Sequence, residues 1–133
     1  MRNELSVSRD LREVGILRIA WSLQAGYEWS HHYEFAAASG VPAAVLLAVK
    51  AGAAADSFTP PYDLAVCLAD EIAESTTVSD ACYDALSRAF PPAQVVEMMT
   101  TFAFYTAVAR LTKGLRLPLE RGRSWEPLPA RSS

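Results

Sequence analysis

RDLREVGILRIAWSLQ, residues 9–24, carries apolar side chains at Leu11, Val14, Leu17 and Trp21, joined by Ile16 and Ile19. Recurrence every three or four residues is the period of a helix, and it predicts one from Arg9 to Gln24. Ser8 precedes it as an N-cap, and Asp10 lies in the first turn, where negative charge meets the positive end of the helix dipole. Ala25-Gly26 then interrupts the pattern, and a second helix follows from Tyr27 to Ser39. Gly40 ends it, since glycine suits the left-handed position after a helix. Pro42 starts a third helix through Lys50 or Ala51, because proline loses nothing at a first helical position. Residues 52–58 read as a loop. Thr59-Pro60 leads a fourth helix through about Glu74, and Ser79 caps a short fifth one ending near Phe90. The last helix, Pro92 to Lys113, is apolar round most of its circumference: Val95, Val96, Met98, Met99, Phe102, Phe104, Val108 and Leu111. Such a helix needs cover on several sides, from other helices or another subunit. No strand pattern competes. The expectation is an all-α, compact bundle of about six helices, with residues 1–118 as one domain. From about Leu117 proline and arginine accumulate and periodicity is lost, so residues 119–133 read as an arm or disordered tail.

The bulk composition agrees. The chain has 133 residues, 51% of them hydrophobic and 20% charged, which is a globular balance in a length suited to one domain. A formal net charge of −3 offers no electrostatic footprint for nucleic acid or an anionic membrane. No run approaches the roughly 18 apolar residues of a spanning helix. Met1 to Asp10 is polar, without the apolar core of a secretory signal. Cys67 and Cys82 are far apart in sequence and lack the close spacing of redox or zinc pairs. Both fall on helical patterns, so they read as buried free thiols, which fits a reducing, cytoplasmic setting.

The chemistry-bearing segment is Tyr27-Glu28-Trp29-Ser30-His31-His32, which holds both histidines of the chain. On a helix, Glu28 and His32 lie one turn apart on one face, with His31 beside them. A carboxylate beside an imidazole fixes its tautomer and supports its cationic form, as general acid–base catalysis requires. If the Ala25-Gly26 break folds the first two helices back to back, Glu13 comes towards the same patch. The competing reading is a solvated Glu–His surface pair worth a few tenths of a kcal/mol. A metal reading also stands: Glu28-x-x-His31 is half of a di-iron bundle motif, though no second such pair exists. A single zinc or iron ion held by Glu13, Glu28, His31 and His32 is the remaining form of it.

Glu13-x-x-Ile16-Leu17-Arg18, then Tyr27-Glu28-Trp29-x-x-His32, then Gly40-Val41, resembles the carboxymuconolactone decarboxylase family of the alkyl-hydroperoxidase-D-like superfamily. The resemblance continues through Thr59-Pro60, Ala69-Asp70-Glu71, residues 77–81, Phe104-Tyr105-Thr106 and Ala109-Arg110-Leu111, covering about residues 9–122. Redox members of that superfamily carry a Cys-x-x-Cys pair where this chain has Ala25 and Glu28, so the resemblance implies no thiol peroxidase chemistry at that site. What it implies instead is a carbon–carbon lyase of the decarboxylase type, or a related isomerase, with no cofactor. The substrate would be a small carboxylated, unsaturated lactone or ketone. His32 would deliver or relay the proton, Glu28 orient it and Glu13 complete the relay. Tyr27, His31, Arg18 and Tyr105 would bind substrate, with Arg18 pairing either a substrate carboxylate or Glu13. The resemblance also implies a homo-oligomer: a dimer, trimer or hexamer. Departures from the family pattern are the short segment before the first shared helix and Val41-Pro42-Ala43-Ala44 in place of an acidic turn. A non-catalytic small-molecule-binding or assembly protein on the same scaffold is the second reading, and a metal-dependent oxidation the third.

Overall fold

The computed structural model of the chain describes residues 6–118. They form six α-helices: α1 (Arg9–Leu23), α2 (Gly26–Ala38), α3 (Ala43–Lys50), α4 (Tyr62–Glu74), α5 (Asp80–Ala89) and α6 (Pro92–Gly114), with a short 3-10 turn at Ala55–Ser57. No strand occurs among the described residues. The expected tail, 119–133, lies outside them.

Helix α1 is the axis of the bundle, packed by α2, α3, α4 and α6. Every residue from Glu13 to Ser22 is buried. One apolar cluster, including Leu11, Ile19, Leu68, Leu86, Met98 and Phe102, joins α1 to α4, α5 and α6. A second, including Val14, Leu17, Val45, Val49, Phe58 and Val66, joins it to α3 and α4. Helix α6 comes close at Gly15, where a Cβ would stand 2.0 Å from Phe102 Cζ. Glycine here makes room for a fully buried ring rather than a turn.

The connections follow from backbone chemistry. Helix α1 breaks one residue earlier than Ala25-Gly26: Gln24 takes the left-handed conformation (φ 53) and its side-chain amide donates to Trp21 O at 2.8 Å. Ala25 is fully buried against Ala20 and Ala109, and Gly26 is already helical. A small residue is what lets this tight joint sit in the core. Helix α2 ends as expected at Gly40 (φ 95), with Val41 N donating to Ala36 O at 3.2 Å and Gly40 N to Ala37 O at 3.4 Å. That pair of bonds is a Schellman closure, sealed by Val41 packing in the cluster that holds Ala36. The same closure recurs at Gly52 (φ 69), where Ala53 N donates to Ala48 O at 3.0 Å.

Two expected starts shift by a residue or two. Pro42 caps α3 from outside rather than opening it, and α4 begins at Tyr62 because Thr59 to Tyr62 forms a separate turn, Tyr62 N donating to Thr59 O at 2.9 Å. Ser79 caps α5 as expected, its Oγ accepting from Cys82 N at 3.2 Å. The expectation for α6 needs the larger correction. Val95, Met98, Phe102 and Ala109 are buried, but Val96, Phe104 and Leu111 are 62%, 55% and 61% exposed. The helix lies at the outside of the bundle, so only one of its apolar faces is covered.

Candidate active site

The two-residue joint after α1 turns α2 back along it, and α6 closes over both. Three groups meet in the space between. From α1 comes Glu13, from α2 His32, and from α6 Tyr105. His32 Nδ1 lies 2.7 Å from Glu13 Oε2, and the two side chains are 12% and 9% exposed. Such burial removes the solvated-surface reading of Glu13. The ring is framed edge-on by Tyr105, with centroids 5.0 Å apart, and by Phe35 at 5.5 Å. A carboxylate facing Nδ1 places a proton on that nitrogen, because two acceptors cannot face each other at 2.7 Å. Nε2 is then the position at which the neutral ring accepts a proton.

Glu28 shares its face of α2 with His32 but serves another partner. It is 3% exposed, and Thr112 Oγ1 on α6 lies 2.8 and 3.0 Å from its two carboxyl oxygens. The same hydroxyl is 3.1 Å from Ala109 O. One hydroxyl proton thus faces three acceptors, and Thr112 alone does not fill the hydrogen-bonding capacity of Glu28. The carboxylate expected against His32 is that of Glu28, but the one found there is that of Glu13. Helix α2 is packed by both α1 and α6, so two of its side chains one turn apart find partners on different helices.

Arg18 is 4% exposed and turned away from Glu13. Its Nε and Nη2 donate to the two oxygens of Asp70 at 2.6 and 3.1 Å, and its Nη1 donates to Ala53 O at 2.8 Å. The guanidinium also lies over Trp21, 4.3 Å from the ring centre. It is an internal clamp between α1, α4 and the end of α3. His31 packs on Tyr27, 4.6 Å between ring centres, the rings tilted by 36°.

A cleft of about 250 Å³ opens between the start of α2 and the end of α6; Glu13, Glu28, His32 and Tyr105 are not among the residues that line it. Gln24 and Tyr27 line one side, Thr112, Lys113 and Arg116 the other. Its link to the site is Thr112, which lines the cleft and bonds Glu28. Sequence reading missed Thr112 and Arg116, and no spacing rule ties residues more than 80 positions from Glu28 to it. Lys113 is engaged locally, donating to Leu23 O at 2.8 Å at the end of α1.

Glu13, Glu28, His31 and His32 do not gather as a metal-ligand cluster. Among the described residues, the group whose ligand atoms all lie within 4.8 Å of one another is Cys67, Glu71 and Cys82. Both thiols are free, as expected, and Cys82 is buried while Cys67 is partly so. Far apart in sequence, the two meet in space across α4 and α5.

Compared with known protein families, curated proteins and solved structures, the chain matches none. The resemblance to the decarboxylase family rests on its quoted motifs.

Proposed function

We propose that the protein is a cofactor-independent decarboxylase, or a related lyase or isomerase, acting on a small carboxylated unsaturated lactone or ketone. The buried His32–Glu13 pair carries this reading. Loss of CO2 sends the electrons of the broken C–C bond into the conjugated carbonyl, and the resulting enolate needs a proton at carbon. His32 exchanges that proton through Nε2, while Glu13 holds Nδ1 protonated and balances the imidazolium charge. Glu28, with Thr112, supplies the second proton-handling group. Tyr105 borders His32 and Tyr27 lines the cleft, where their hydroxyls would serve a developing oxyanion, with His31 packed against Tyr27. Arg18 is committed to Asp70, so the carboxylate anchor passes to Arg116 at the rim of the cleft.

The test is CO2 release from a panel of carboxylated unsaturated lactones and β-keto acids, with wild type beside His32→Ala and Glu13→Gln. We expect turnover by wild type, a fall in kcat of about 100-fold or more in His32→Ala, and helical circular dichroism unchanged. No release from any member of the panel, or equal turnover by His32→Ala, overturns the proposal.

The exposed apolar residues of α6 favour a homo-oligomer assembled through that helix, because Val96, Phe104 and Leu111 face outwards along its length. They equally favour the second reading, an assembly protein without turnover, and the His32→Ala comparison separates the two. The number of subunits follows from light scattering after size exclusion, and a monomer at micromolar concentration removes the assembly.

A further inference from the structure

Cys67 and Glu71 are four residues apart and so share one face of α4. Cys82 stands at the third position of α5, directly after a turn anchored by its own cap. Ser79 is the anchor. Its backbone N–H donates to Glu71 Oε1, its hydroxyl donates to Glu71 Oε2 at 2.9 Å, and its Oγ accepts from Cys82 N at 3.2 Å. One serine thereby fixes both the carboxylate and the backbone that carries the second thiol. Cys67 Sγ lies 3.7 Å from Glu71 Oε2.

We propose that Cys67, Cys82 and Glu71 bind a thiophilic divalent cation of the zinc class, clamping α4 to α5. Tetrahedral zinc with sulfur at about 2.3 Å and carboxylate oxygen at about 2.0 Å requires S···S edges of about 3.8 Å and S···O edges of about 3.5 Å. The Cys67–Glu71 separation of 3.7 Å is within a few tenths of that edge, and all three ligand atoms already lie within 4.8 Å of one another. Two thiolates and a carboxylate are a soft-leaning donor set that favours zinc over magnesium or calcium. Three protein ligands leave the fourth position to water, and partly exposed Cys67 is the side from which it enters.

Burial pushes both thiols up from their ordinary range, with the neighbouring Glu71 carboxylate adding to the shift. Without the ion they are therefore thiols, and the proton on Cys67 fills the gap towards Glu71. Binding exchanges each S–H for a sulfur–metal bond and releases the protons to water, with no change of oxidation state. The site is independent of His32 and Glu13, so the CO2 assay does not bear on it.

The experiment uses the full chain, freshly reduced with a phosphine, stripped with a chelator and titrated with Co2+. We expect one ion per chain with near-ultraviolet thiolate-to-cobalt charge transfer and visible bands of tetrahedral strength, displaced by Zn2+. Cys67→Ser and Cys82→Ser should each weaken uptake by more than about 100-fold, with circular dichroism confirming that they fold. Cys67→Ser, being at the partly exposed ligand, keeps the test decisive if the buried Cys82 variant fails to fold. No cobalt uptake by the reduced wild type, uptake unaltered by Cys67→Ser, or uptake without thiolate bands overturns the proposal. A Cys67–Cys82 disulfide as the resting form that excludes the ion does so too.

Discussion

Replacing Gly15 by alanine sets two physical effects against each other. In a helix interior, alanine is favoured over glycine by about 1 kcal/mol, so propensity alone makes the variant more stable. Packing opposes this. The new Cβ would meet Phe102 Cζ at 2.0 Å, Cε1 at 2.3 Å and Cε2 at 2.7 Å, where carbon atoms rest at about 3.5–4.0 Å. The ring must retreat by more than about 1 Å, yet Phe102 is 0% exposed and enclosed by Leu11, Leu68 and Met98 in one cluster. Overpacking of this kind costs about 1–3 kcal/mol, and a contact this short belongs at the upper end. The net expectation is a loss of about 2 kcal/mol, read as a lower urea midpoint at unchanged slope. Tm should fall by roughly 8 °C. Protein concentration is held fixed because assembly shifts both quantities. Phe102→Leu in the same chain should recover at least about 1 kcal/mol relative to the sum of the single changes. Gly15→Ala as stable as wild type, or more so, refutes the reasoning, because it would mean that α1 and α6 are not in contact at this point.

Arg18→Lys keeps the charge but loses the two-pronged contact with Asp70 and the stacking on Trp21; it should cost about 3 kcal/mol in urea denaturation, and a loss under about 0.5 kcal/mol refutes the clamp. Tyr62 donates to Asp10 Oδ2 at 2.7 Å, and burial, followed by that hydrogen bond, raises the phenol from 10.0 to about 12. A raised acid stabilises the fold fully below its unfolded value, so stability should decline between pH 10 and about 12. Tyr62→Phe should lose about 1 kcal/mol at neutral pH and flatten that alkaline decline, and an unchanged alkaline slope counts against the pairing.

What could be read in advance was local. The ends of α2 and α5 were legible because Gly40 and Ser79 each impose a backbone solution that needs no tertiary partner. The apolar period of α1 revealed a helix, though not that it is buried on all sides, since burial of Glu13 and Arg18 depends on partners from other elements. Asp70, the partner of Arg18, is 52 residues away; no spacing rule reaches that far. The approach of Glu13 to His32 followed from the hairpin of α1 and α2, whereas the pairing of Glu28 with Thr112 depends on α6, which returns to this end of the bundle only after three intervening α-helices. The proximity of Cys67 and Cys82 was not legible for a related reason: spacing rules look for pairs within one tight turn, while these two thiols meet across two helices.

The enclosure of α1 also governs how the site can respond to whatever enters it. Backbone amides between Glu13 and Ser22 reach water only when the whole domain opens, so hydrogen exchange along this helix reports global stability. Glu13 is carried by that buried segment. Adjustment around a bound molecule must therefore come from the coverings, α2 and α6, which can yield while the carboxylate against His32 stays still.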